Sequence, residues 1–556
     1  MKARLVSVII CAALLLAACG CAGQRQRGAA VPAPERPSAS AVGDKTYFRD
    51  AWHGDESYRE MEYRRYERHM LDEFLQPIYD MAENGGTPEE FEDADLCLTG
   101  ELYYIHTMMT LISLRQSADP GDGELAAELL YAQEMYYTAW DEYWRAMHAM
   151  ALSPHAELLR AVYGDVLISV FEEYEPDEDG GGLEAYSAEN GLVSEYYRLM
   201  ARPEPDMDAV GRLFIDLVEL RRGTAASAGW DSYAGYAYDA VYSRDYTPED
   251  ARAVWRGVKE HIVPVMNRHA SRAQSAAEYL QSSGAVDCGR EAVIASMDSI
   301  LPRVSPELYR AFRYMVDFGL YDIGHDPGKA GRGYTTILYY SNEPFIFNAA
   351  CDEFYDYTDM FHEFGHFVND FYTMSDLIFG DSDYDLSELQ SQGMELMFTH
   401  FYDEIFGEYA NAARGWLLMD MIYGIVDGAL YDEFLQRVYA EENLTVDKVN
   451  GIYAGLYEEY GYAPYDGYET EWMGLSHNFE APFYYISYSV SALAALELYE
   501  LMQRSWEEGV DRFLTLCAMD TEYYYYSEAL DEAGLSGIFD PETYSGIAEV
   551  LDGSFS

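Results

Sequence analysis

The run FHEFGHFVND, residues 361–370, constrains this chain more than any other stretch. His362 and His366 stand four apart with Glu363 between them. On an α-helix, positions four apart face the same way, so a helix here lets both imidazoles reach one metal ion while Glu363 stands beside it. Two histidines leave a catalytic zinc site one protein ligand short, because such sites take three and keep the fourth position open for water. A third histidine at 372 would complete one arrangement of this kind, but the chain has Tyr372 there. The missing ligand is therefore sought in a downstream carboxylate.

DLSELQSQGMELMFTHFYDEIF, a segment of helical pattern, follows soon after. Glu388 and Glu395 are seven apart, two helical turns on one face, so one can bind metal while the other accepts a hydrogen bond from a ligand imidazole. Hydrolysis at such a site needs a base, which Glu363 supplies, and donors aimed at the oxygen that becomes negative. Tyr485 and Tyr488, three apart on a helical segment, place two hydroxyls on one side, and His477 precedes them. The competing reading makes them packing tyrosines among the 52 of this chain.

Composition narrows the function classes. With 98 acidic against 36 basic residues, the net charge of -62 repels nucleic acid and anionic lipid surfaces; it reads as a solvated, soluble surface, the alternative being steering of cationic peptides toward a cleft. Near the start, Lys2 and Arg4 precede an apolar run from Leu5 to Leu16, too short for an ordinary spanning helix, and then Leu16-Ala17-Ala18-Cys19. This reads as a lipoprotein signal peptide over 1–18, with Cys19 as the lipidation site and an Ala/Pro/Gly/Ser-rich flexible tether over 19–45. A plain cleaved signal peptide is the alternative. Either places the protein outside the cytoplasm; lipidation anchors it to the membrane there. No later segment is apolar enough to span a bilayer. Cys97, Cys288, Cys351 and Cys517 show no CxxC spacing and are expected in the core.

Helical periodicity begins near residue 46, as in ELLRAVYGDVLISVF, where Leu159, Val162, Tyr163, Val166 and Val170 share one face. ARPEPD at 201–206 divides an N-terminal helical lobe, 46–205, from a catalytic region, 206–550. Over 331–354 glycine, β-branched and aromatic residues replace the helical period, predicting a small sheet in which Phe345, Ile346 and Phe347 begin an edge strand after Pro344. Asp356 or Thr358 is expected to cap the metal helix, His400 to be structural, His325 to belong to a turn, and 455–472 to form either a loop over a cleft or an ordinary surface loop.

Taken together, HEFGH, the Glu388/Glu395 pair and SHNFEAPFYYISYSVSALAALEL resemble the thimet oligopeptidase and oligoendopeptidase F family of zinc peptidases. The resemblance covers roughly 206–550, including GRGYTTIL and PFIF before the metal helix, although Arg332 and NAACDEF depart from the family pattern. It implies a mainly α, zincin-type fold with two helical lobes around a substrate channel and a small sheet beside the metal helix. It further implies one Zn2+ per chain on His362, His366 and Glu388, Glu395 behind a ligand, Glu363 as base, and His477, Tyr485 and Tyr488 facing the substrate carbonyl. Tyr484 replaces Tyr485 if the register is off by one. The implied peptide pairs as an added strand with the Phe345–Phe347 edge. The expected function is endopeptidase cleavage of oligopeptides; the alternative is a peptide-binding surface lipoprotein that does not turn substrate over.

Overall fold

The computed structural model describes residues 47–555 except 49–50, 56, 175–180, 201, 203, 284–285, 325, 327, 330–332, 350–353, 374–375 and 379–381. The expected signal segment, tether and lipidation site Cys19, together with His325, Arg332 and Cys351, lie outside the described residues.

The described chain is mainly helical, with one three-stranded sheet. Four helices come first: α1 (Arg68–Asn84), α2 (Pro88–Ala118), α3 (Gly123–Ala151) and α4 (Glu157–Glu173). α2 starts on a capping box, in which the Thr87 hydroxyl accepts from the Glu90 amide and Pro88 opens the first turn. The stripe read on α4 is not continuous, because Gly164 at φ 72° breaks the helix in its middle. These four helices share an apolar core that includes Leu71, Phe91, Leu98, Tyr143 and Phe171.

A larger core runs through the rest of the chain and also takes in Phe48, Val193, Tyr196 and Leu199. Its framework is α5 (Met207–Ser227), α6 (Pro306–Phe318), strands β1 (Tyr321–Ile323), β2 (Gly333–Leu338) and β3 (Glu343–Asn348), and helices α7 (Tyr355–Tyr372), α8 (Tyr384–Phe398), α9 (Ala410–Ala440) and α10 (Ile486–Arg504). α7 lies on the sheet and against α8, α8 packs on α10, and α10 packs on α9. Among the described residues no helix is long and apolar enough to cross a membrane.

The strand order is β1-β3-β2, with β1 parallel and β2 antiparallel to β3. β3 is therefore the central strand: Ile346 pairs with Tyr321 on one side and Thr335 on the other. This corrects the expectation for Phe345, Ile346 and Phe347, which are fully buried and have no open backbone edge for a peptide. The strand on the α7 side that keeps a side without a strand partner, among the described residues, is β2.

Neither Asp356 nor Thr358 caps α7, whose N-cap is Phe354 with no side-chain cap bond; Asp356 lies in the first turn instead. Cys288 and Cys517 are buried as expected, whereas Cys97 is exposed on α2. In the 455–472 stretch, a helix over Val446–Glu459 absorbs the first residues, and a 3-10 segment begins at Tyr468.

Candidate metal centre

All fifteen described buried residues of α7 include the pentad, so its histidines are held on both flanks by packing. Gly365 lets α8 come close: a Cβ there would stand 2.5 Å from Ser391 Cα and 3.0 Å from the Gln390 oxygen. α8 is started by Asp383, whose side chain accepts from the Leu386 amide at 2.9 Å. Glu388 is thereby placed in the second turn, opposite the pentad.

One donor atom from each of His362, His366 and Glu388 lies within 4.8 Å of the others, the sole such group of three His, Cys, Asp or Glu among the described residues. The three side chains are buried, at 7%, 9% and 0% exposure. Each imidazole is oriented through Nδ1: His362 bonds Glu395 Oε1 at 2.7 Å, and His366 stands 3.0 Å from the Ser387 hydroxyl. Their Nε2 atoms have no hydrogen-bond partner, and that of His362 is 3.3 Å from Glu388 Oε2. Glu388 is itself held by the Tyr484 hydroxyl, which donates to Oε1 at 2.8 Å.

The electrostatics suit a dication. Burial pushes His366 down to about 4, so its ring is neutral at neutral pH and offers a lone pair. Burial also opposes charge on His362, but the Glu388 and Glu395 carboxylates against its ring outweigh that and raise its pKa well above the ordinary value. The same carboxylates that retain a proton there favour a cation at Nε2. Glu388 remains ionised: burial raises its pKa, yet the His362 contact and charge, the charge of His366 and the Tyr484 bond bring it down to about 2. The Nε2, Nε2 and carboxylate set, backed by Glu395 and Ser387, matches what catalytic zinc takes.

Glu363 is fully buried beside this set. The Thr335 hydroxyl of β2 donates to its Oε2 at 2.6 Å, while Oε1 has no hydrogen-bond partner. Burial is the main cause that lifts its carboxyl to about 7.

Beside Tyr484, His477 opens a short helical turn, and its ring lies 5.9 Å from that of Tyr484, 5.1 Å from that of Tyr485 and 6.1 Å from that of Tyr488. Tyr485 and Tyr488 are 5.2 Å apart, ring to ring. Phe483 at φ 70°, a left-handed conformation rare for a bulky residue, turns the chain into α10 and is held by packing against Tyr439 at 5.3 Å. Gly428 of α9 permits the close approach, since a Cβ would stand 2.7 Å from the Tyr485 backbone oxygen. The structure thus brings together Glu363, His362, His366, Glu388 and Glu395, with His477, Tyr485 and Tyr488 grouped nearby. It leaves Phe345–Phe347 outside, and His400 stacks on Trp506 at 4.0 Å, a packing role.

Thr335, Ser387 and the ligand-holding role of Tyr484 are new from the structure. The only sequence sign for Ser387 is its place beside Glu388, and Thr335 carries none beyond strand alternation. A separate cavity of about 430 Å³ between Asp287, Ser296, Tyr357, Phe406 and Tyr409 contains none of these residues.

Residues 308–515, which run from α6 to beyond α10, match the model of Peptidase family M3. No curated protein matches the chain. Among solved structures it is similar to Pz peptidase A with an inhibitor, at 22% identity and TM-score 0.72, covering 90% of this chain and 100% of that one. A putative oligoendopeptidase F is similar at 22% identity and TM-score 0.74, covering 90% and 98%. A putative oligoendopeptidase F from Bacillus anthracis gives 21% identity, TM-score 0.72 and 91% and 98% coverage. The fold is that of these structures.

Proposed function

We propose that this chain, which carries a Peptidase family M3 domain over residues 308–515, is a zinc-dependent endopeptidase that cuts internal bonds of short peptides outside the cytoplasm. The carrying observation is the buried His362, His366 and Glu388 set, with two Nε2 atoms that make no hydrogen bond and, beside them, the Oε1 of Glu363, which also makes none. Zinc held by those three side chains would supply a bound water of lowered pKa and polarise the scissile carbonyl.

The chain's own residues do the rest. Glu363 accepts the proton of the attacking water at Oε1 and returns it to the leaving amine, with Oε2 fixed by Thr335. A carboxyl lifted to about 7 is matched to proton transfer near neutral pH. Tyr485, Tyr488 and His477 donate to the oxygen that becomes negative. The peptide backbone lies along β2, the strand that touches Glu363, rather than along β3. A channel between helical lobes would admit flexible peptides and reject folded proteins. Cys19 in LAAC is the proposed lipid anchor, with the folded body tethered at a membrane surface.

The test is mass spectrometry of a diverse peptide pool incubated with wild type and with Glu363→Gln, each loaded with zinc. Internal cuts by the wild type alone are expected, with the variant slower by ~10²–10⁴-fold. Zinc binding without any cut in the pool removes the enzyme reading. For the anchor, Cys19→Ser should move the protein from the membrane fraction to the soluble one; unchanged fractionation removes that part.

A further inference from the structure

Arg244 is a buried cation, its side chain 1% exposed, in the loop before residue 250. Its guanidinium spans two elements of the metal centre. Nε lies 3.3 Å from Asp385 Oδ2, in the first turn of α8, and Nη2 donates to the Ser487 hydroxyl at 2.9 Å, in the first turn of α10. Asp385 is one turn ahead of the ligand Glu388, and Ser487 is three residues after Tyr484, whose hydroxyl holds Glu388. The two arms of one planar group therefore join the start of the ligand helix to the start of the tyrosine helix.

The clamp is braced on every side. The guanidinium sits 4.5 Å, 4.7 Å and 5.8 Å from the ring centroids of Tyr238, Tyr242 and Tyr246. The Tyr246 hydroxyl donates to Asp385 Oδ2 at 2.6 Å, that of Tyr242 to the Pro482 oxygen at 2.9 Å, and that of Tyr238 to Asp432 of α9 at 2.7 Å. A buried ion pair is a poor device for stability alone, since apolar replacement of both partners is commonly neutral or favourable. What it fixes is geometry: a rigid fork selects one relative position of two helices where a lysine point charge would not.

We infer that Arg244 is a positioning residue for the metal centre, setting the distance between Glu388 and the Tyr484–Tyr488 wall through Asp385 and Ser487. The inference rests on the zinc reading of the site. Zinc affinity, kcat and KM are to be measured for wild type, Arg244→Lys, and Arg244→Met with Asp385→Asn, which removes both charges and keeps an acceptor for Tyr246. Folding of each metal-free protein is checked by circular dichroism. The expected result for the double variant is a zinc Kd raised ~10–100-fold, as for other supports of metal ligands, a lower kcat and an unchanged KM, with a thermal midpoint near wild type. Arg244→Lys should fall between. Wild-type Kd and kcat in the folded double variant overturn the inference, leaving Arg244 a packing group.

If the double variant does not fold, Ser487→Ala removes only the arm to α10 and should weaken zinc several-fold; an unchanged Kd then overturns the inference. A wild-type chain without zinc affinity overturns the zinc reading itself, and this inference with it.

Discussion

Glu363 has one carboxylate oxygen held and the other left without a hydrogen bond. Thr335 makes that difference, donating a 2.6 Å bond to Oε2 from a hydroxyl that also lies 3.0 Å from the Glu363 backbone oxygen. Thr335→Val keeps the β-branched shape and removes the hydroxyl. A hydrogen bond to a charged group contributes about 1.5–3 kcal/mol, so kcat should fall by roughly tenfold or more with KM and zinc content unchanged. Steady-state kinetics with zinc analysis checks this; a fall in zinc content instead would assign Thr335 to the metal. His362, Glu363 and His366 were legible because helix periodicity converts their spacing into a shared face, and Glu388 with Glu395 became legible by the same rule. Thr335 was not, because its contact joins a strand to a helix 28 residues on, and no local spacing encodes such a meeting. Tyr484 illustrates the limit differently. Its neighbourhood was readable, but which of three nearby tyrosines faces Glu388 depends on the left-handed turn at Phe483.

Between elements, the meeting of α7 and α8 decides whether the cluster exists, because Glu388, its third member beside His362 and His366, comes from α8. Gly365→Ala would put a methyl 2.5 Å from Ser391 Cα, a backbone atom that cannot step aside, so the helices must separate. Overpacking of this kind costs about 1–3 kcal/mol, and the displacement should also weaken zinc binding. Urea unfolding and a zinc titration on the same variant measure both; wild-type values in each would show that α8 does not need this contact. The sheet shows how an element can be recognised and misplaced. Pro344 suggested an edge, but it is only the second residue of β3, opposite Ile337, and the strand is closed on its other side by β1. β1 has three residues, too few to leave a periodic signal, so the central position of β3 was invisible in the sequence. The helical character of the rest was clear from its 3.6-residue period, whereas the break at Gly164 depended on backbone geometry alone.

At the scale of the whole molecule, charge dominates. A net charge of -62 should draw cationic peptides to the protein, so kcat/KM for an arginine-rich substrate should decline as salt rises from about 0.05 to 0.5 M, while an acidic analogue improves. Parallel salt responses for the two peptides would contradict electrostatic steering. The acidity also reaches inside. Burial, with neighbouring carboxylates for Asp370 and Glu522, raises Asp520 to about 6, Asp370 to about 7 and Glu522 to about 9. Unfolded carboxyls titrate near pH ~4, so above that the unfolded chain holds fewer protons at these positions than the folded one. Their stabilising contribution is complete below pH ~4 and is lost as pH rises through about 6 to 9. The thermal midpoint of the metal-free protein should therefore fall over that range, and Asp520→Asn with Glu522→Gln should flatten the slope. A midpoint that rises with pH, in a calorimetric series at constant salt, would contradict these assignments.

The most direct measurement is a zinc titration of the metal-free protein in which bound metal and cleavage of an internally quenched peptide are followed together. The account predicts that cleavage rises in proportion to bound zinc and levels off at one ion per chain, and that Glu363→Gln binds the same zinc without comparable cleavage. Full cleavage by the metal-free protein, or equal cleavage by Glu363→Gln, would contradict it.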